Sequence, residues 1–297
     1  MCLCGKPKSI PKLNPNILKM KTLKYALLLA TALFMSCSND DNNTPTPANE
    51  TDGLTLVQTI TNDNHTIYLY TESGEFTQGY NEIYIQLKEA DTYITDASLS
   101  WSPLMHMMSM QHRCPFSEIT KLPNKQTLYK GYIVFQMASN ESEFWQLSVD
   151  YSLIGNTYEA SDEITVLPSD KQRVTSFMGS DNERYILALV DPNAPQVAIN
   201  DMVVGIFRME NMMNFPIVDD YTLKIDPRMP GMGNHGSPNN VDLTQNTDGF
   251  YHGKLSLTMT GYWRVNLILE NQNGESLKGE PITETNPNSS LYFEIEF

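Results

Sequence analysis

Cysteine is scarce in this chain: four among 297 residues, at positions 2, 4, 37 and 114. Three fall within the first 37 residues, so the remainder holds a single thiol and can close no disulfide within itself. Its stability must come from packing. Long apolar runs are missing too. The segment Tyr25 to Met35 is too short to span a bilayer as a stable helix, and reads instead as the apolar part of a secretory signal. Basic residues are few, 20 against 35 acidic ones for a net charge of −15. Removing the six lysines of residues 1–37 leaves 14 basic residues against 35 acidic, near −21. That balance speaks against a nucleic-acid partner and is compatible with a cation. There is no nucleophile elbow, glycine-rich phosphate loop or zinc-protease helix motif, so a non-enzymatic role is expected. No segment carries a helical apolar stripe over four turns.

What is present begins with a leader. "MKTLKYALLLATALFMSC" runs from Met20 to Cys37, with lysines, an apolar run and a small residue before the cysteine. It is complete by itself, so Met20 is read as the start. Cys37 stands where a bacterial lipoprotein signal places its lipidated cysteine, and "SNDDNNTPTPANETDG" after it is a polar, proline-containing tether. The expected location is the cell envelope, on an outer-membrane lipoprotein held to the membrane by its lipid anchor, facing the periplasm or the outside. The acidic residues directly after Cys37 resemble a surface-export signal of Gram-negative lipoproteins.

Beyond the tether the pattern is strand. "TIYLY", "EIYIQL", "YIVFQM", "RYILALV" and "WRVNLIL" are rich in β-branched and aromatic residues and bounded by Gly, Asn, Asp or Pro. The design also occurs twice. "DASLSWSPLMHMMSMQHRCP" (Asp96 to Pro115) matches "DYTLKIDPRMPGMGNHGSP" (Asp220 to Pro238), aligning Pro103 with Pro227, Met105 with Met229, Met108 with Met232 and His112 with His235. Downstream, Gly131, Met137 and Trp145 answer Gly253, Met259 and Trp263. The expected fold is all-β: two tandem immunoglobulin-like β-sandwiches after a lipoprotein signal (1–37) and a flexible linker (38–52). The first sandwich, the divergent copy, is placed at 53–168 and the second at 169–297.

In both copies the Met/His stretch follows a strand, and its prolines and glycines place it in a connection, where binding groups usually sit. A thioether is soft and neutral and suits Cu(I); imidazole suits Cu(I), Cu(II) and Zn(II). The motif lacks the thiolates, extra histidines or clustered carboxylates of zinc and calcium sites. Candidate ligands are Met105, Met108, Met110 and His112 in the first copy, and Met229, Met232, His235 and Met259 in the second. Extended, the first stretch would turn His106, Met108, Met110, His112 and Cys114 to one face; the second, with "MPGMGNHG", needs a turn, and a shared geometry favours the turn in both. Met137 and Met259 are open to two readings, core filler or ligand. Cys114 is a possible soft ligand, although Ser237 takes the matching place. His65 and His252 read as surface histidines, and Trp101, Trp145 and Trp263 as core. "MENMMN" (Met209 to Asn214) is a further Met cluster, either gap-filling or an auxiliary soft patch.

"MPGMGNHGSP" followed by "LTMTGYWRVNLIL" resembles the YtkA-like domain, related to FixH-type and CopC-type β-sandwiches of the bacterial envelope. The resemblance covers about Val197 to Leu269, and the first copy is a divergent version in which "MHMM" replaces Met-Pro-Gly. It implies an immunoglobulin-like fold and an envelope role in copper or heavy-metal handling. The leading expectation is therefore a non-enzymatic lipoprotein that binds copper, Cu(I) foremost, or another soft metal through Met/His loops. The alternative is a surface adhesion or interaction lipoprotein whose Met loops contact an envelope protein. A carbohydrate binder is a third reading and would need exposed coplanar aromatics.

Overall fold

The computed structural model describes residues 50–297, and the chain from Asn49 onward forms one compact unit. Cys37, the leader and most of the linker lie outside the described residues. Among the described residues no α-helix occurs, and antiparallel strands build nearly everything.

The first half contributes β1 (Thr55–Asn62), β2 (His65–Thr71), β3 (Gly79–Glu89), β4 (Ser98–His106), β5 (Gln111–His112), β6 (Thr120–Lys121), β7 (Tyr129–Phe135), β8 (Phe144–Leu153) and β9 (Asn156–Ile164). One sheet has the order β1-β2-β3-β7-β6 and the other β9-β8-β4-β5. The alternation of buried and exposed residues along β3 and β8 is the period of two that turns one face inward. Ile67, Leu69, Ile83, Ile85 and Leu87 from the first sheet thus meet Trp101, Trp145, Leu147 and Val149 from the second.

The second half contributes β10 (Val174–Met178), β11 (Arg184–Asp191), β12 (Ile199–Arg208), β13 (Thr222–Met229), β14 (His235–Gly236), β15 (Val241–Gln245), β16 (Tyr251–Ser256), β17 (Tyr262–Glu270), β18 (Ser276–Lys278) and β19 (Leu291–Glu296). Here the order is β10-β11-β12-β16-β15, the counterpart of the first half's larger sheet. Strands β14, β13, β17 and β19 repeat the smaller one. The copies differ in one connection: β15 pairs with both β16 and β13, joining the two layers of the second half into one ten-stranded sheet. Its core sets Tyr185, Leu187, Met202 and Val204 against Leu223, Trp263, Val265 and Phe293.

No strand pairing joins 55–167 to 174–296 among the described residues, yet the halves are not independent. Val134, Val174, Ile186, Ala188, Phe207 and Phe215 form a third buried cluster between them, with Tyr80, Tyr132 and Phe250 packed on it. This explains why "YILALV" and "MVVGIF" are continuous apolar runs: β11 and β12 are covered on both faces, by their own core on one side and by the first half on the other. A backbone hydrogen bond, Arg113 N–H to the Met212 carbonyl (2.8 Å), also ties the halves together.

Candidate functional site

The duplicated Met/His stretches are two equivalent hairpins. β4 and β5 pair with Met105 opposite His112, and β13 and β14 pair with Met229 opposite His235. Residues 107–110 turn the first hairpin, closed by Met107 N–H to the Met110 carbonyl at 3.0 Å. A one-turn 3-10 segment, Pro230–Met232, turns the second, ending on Gly233 in the left-handed region (φ 66°). The turned geometry, rather than the one-faced extended strand, therefore holds in both copies.

Met105 and Met229, expected in a connection, are strand residues and buried. The strands run through Pro103 and Pro227 because each proline lies where one strand edge is unpaired: β5 reaches only Met105 and His106, and β13 is covered only at its two ends. A missing N–H costs nothing there. Met137 and Met259, expected on strands, lie just outside them. Each follows the end of one, half-buried against a core, and gives its carbonyl to a tryptophan indole: Trp145 at 2.9 Å and Trp263 at 3.0 Å.

The two hairpins differ in what they leave open. In the first, Met108 at the tip is 88% exposed and Met110 is also exposed. Its histidines are engaged. His106 stacks on Phe144 (4.7 Å), accepts from Gln111 at Nδ1 (2.9 Å) and donates from Nε2 to Gln146 (2.9 Å). His112 is buried edge-on to Trp145 (5.7 Å) and donates from Nδ1 to the Arg113 carbonyl (2.7 Å). In the second, Met232 is 59% exposed and His235 is exposed, with no hydrogen bond to either ring nitrogen among the described residues. Directly opposed strand residues have Cβ atoms about 5 Å apart, so His235 stands beside Met229, whose methyl end lies against Gly261.

Other expectations shift. Cys114 is fully buried, and burial pushes its thiol pKa well above the usual range. His65, read as a surface residue, is buried: Tyr151 meets its Nδ1 at 3.1 Å and Tyr158 packs edge-on at 4.7 Å, apolar surface that the alternation of β2 directs inward. His252 is half-exposed and pairs with Asp248 at 2.9 Å. All three tryptophans are buried. The "MENMMN" turn presents Met212 and Met213 to solvent, and its backbone docks on the first half. Tyr68 and Tyr70 are nearly parallel, 19° apart, but Tyr70 is buried and forms no open platform. Among the described residues no three His, Cys, Asp or Glu side chains converge, so a metal held here would depend on thioethers. No protein-family model matches the chain, and a search of curated proteins finds no match.

Proposed function

We propose that this protein is a non-enzymatic envelope lipoprotein that binds a soft metal ion, Cu(I) foremost, through the second Met/His hairpin. The observation that carries this reading is the cross-strand pair of Met229 with an unbonded, exposed His235, with Met232 on the turn between them. Thioether and imidazole together make a neutral, soft donor set that stays functional where a thiolate would oxidise. The first hairpin, with both ring nitrogens of His106 engaged and His112 buried against Trp145, exposes only the tip thioethers of Met108 and Met110 and is the weaker partner. The resemblance of residues 197–269 to YtkA-like domains points the same way. Lipid anchoring at Cys37 would hold the unit at the outer membrane.

The test is an anaerobic Cu(I) titration against a chromophoric chelator, with a Met229→Leu/Met232→Leu/His235→Phe variant beside the parent. Stoichiometric binding that the variant loses is the expected result. Binding that survives the triple substitution, or no competition with the chelator at all, overturns the proposal. A second reading, a protein-contact surface, is favoured by the exposure of Met108, Met110 and Met232 on hairpin tips. Such a contact would tolerate the Met→Leu changes, because apolar area is kept.

A further inference from the structure

Between the two halves, away from the hairpin tips, lies a half-open cavity of about 370 Å³ lined by Arg113, Cys114, Tyr132, Phe207, Met213 and Phe215, among others. Cavities of about 300–1,000 Å³ at domain junctions are the usual size and place of small-molecule sites. Most of the side chains around it are aromatic or apolar, and none is a carboxylate although the protein carries 35 acidic residues.

Arg113 is the one charge on that wall. Its backbone is fixed from both sides: its N–H donates to Met212 of the second half (2.8 Å), and its carbonyl accepts from His112 Nδ1 (2.7 Å). Its side chain has no such partner. Nε is buried without an acceptor, and the guanidinium enters no hydrogen bond or ion pair among the described residues. The other arginines are provided for. Arg208 and Arg228 pair with Glu210 and Asp226, Arg173 and Arg264 donate to backbone carbonyls, and Arg184 is exposed. Leaving the buried Nε without an acceptor is costly, and a planar carboxylate takes two parallel bonds from a guanidinium's fork of donors.

We infer that this cavity is a binding site for a small monocarboxylate with an apolar or aromatic body, whose carboxylate pairs with Arg113 while its body lies against Tyr132, Phe207 and Phe215. Arginine supplies charge and orientation, and the rings supply the apolar contact. The cavity adjoins the first hairpin through Arg113 and Cys114 but is lined by none of Met105, Met108, Met110, His112, Met229, Met232, His235 or Met259, so the two sites can stand or fall apart.

The test is saturation-transfer NMR and calorimetry on the full chain with millimolar benzoate, phenylacetate and hexanoate, each compared with its primary amide. At least one acid is expected to bind about tenfold or more tightly than its amide, because a charge-assisted bond is lost. Arg113→Met should abolish that preference, and Arg113→Lys, which keeps charge without the fork, should retain only part of it. Amides that bind as well as acids overturn the inference, and that comparison on the unmodified protein holds even if a variant fails to fold. So does an acid preference that persists in folded Arg113→Met, or no binding by any member of the panel.

Discussion

Trp263 donates its indole N–H to the carbonyl oxygen of Met259 at 3.0 Å, and the first half repeats this with Trp145 and Met137 at 2.9 Å. Both rings are fully buried, so each bond satisfies the one polar atom of a large core side chain while fixing the segment that leads into β8 or β17. The first prediction concerns this pair. Trp263→Phe should cost about 1–3 kcal/mol, the loss of a bond plus a partly filled void, and Trp263→Ala about 3–5 kcal/mol. Urea denaturation followed by circular dichroism measures both. A Trp263→Phe variant as stable as the parent would show that the indole bond adds nothing.

Glu50 caps the turn at 125–127. Its carboxylate accepts from the Gln126 N–H (2.7 Å) and the Thr127 N–H (2.8 Å). Burial pushes its pKa up, but the hydrogen bonds from Gln126 and Thr127 outweigh burial and hold it below the usual glutamate value. A folded pKa that is depressed contributes stability that is complete above the unfolded pKa, about 4.3, and is lost as pH falls through the folded value. Glu50→Gln should therefore lower stability at pH 7 by about 1 kcal/mol or less, the partial exposure of the site screening the effect. The gap between variant and parent should close progressively under acid conditions. A gap that is constant with pH would show that ionisation of Glu50 is not what holds the turn.

Cys114 makes the third prediction. It is fully buried, with its thiol pKa raised by that burial, and only the thiolate attacks disulfide reagents. Modification of Cys114 by an aromatic disulfide, followed by mass spectrometry, should be slower in the folded chain than in urea by a factor of about 100 or more. Comparable rates would mean that the junction between the halves opens readily.

Much of this architecture was legible in the residues. The alternation in "EIYIQL" and "YIVFQM" marks half-buried strands, and both became central strands of the first half's larger sheet. The repeat aligned Met105 with Met229 and His112 with His235, and these are cross-strand partners in equivalent hairpins. The apolar runs "YILALV" and "MVVGIF" held the signal for the contact between halves, since a strand wetted on one face would alternate. Arg113 carried no such signal, because whether an arginine finds an acceptor depends on the residues that folding brings beside it.

The sequence by itself determined the strand content and the matched order of residues in the two halves, because a period of two and a repeated order of residues are local properties of the chain, while the pairing of Met105 with His112 and of Met229 with His235 came from the fold. Only the tertiary structure decided which member of each pair meets solvent. His112 is covered because it lies edge-on to Trp145 and its neighbour Arg113 is bonded to Met212 of the second half, whereas His235 is left exposed. Identical local designs thus end in different environments, since burial is set by what packs over a strand end and not by the strand's own pattern.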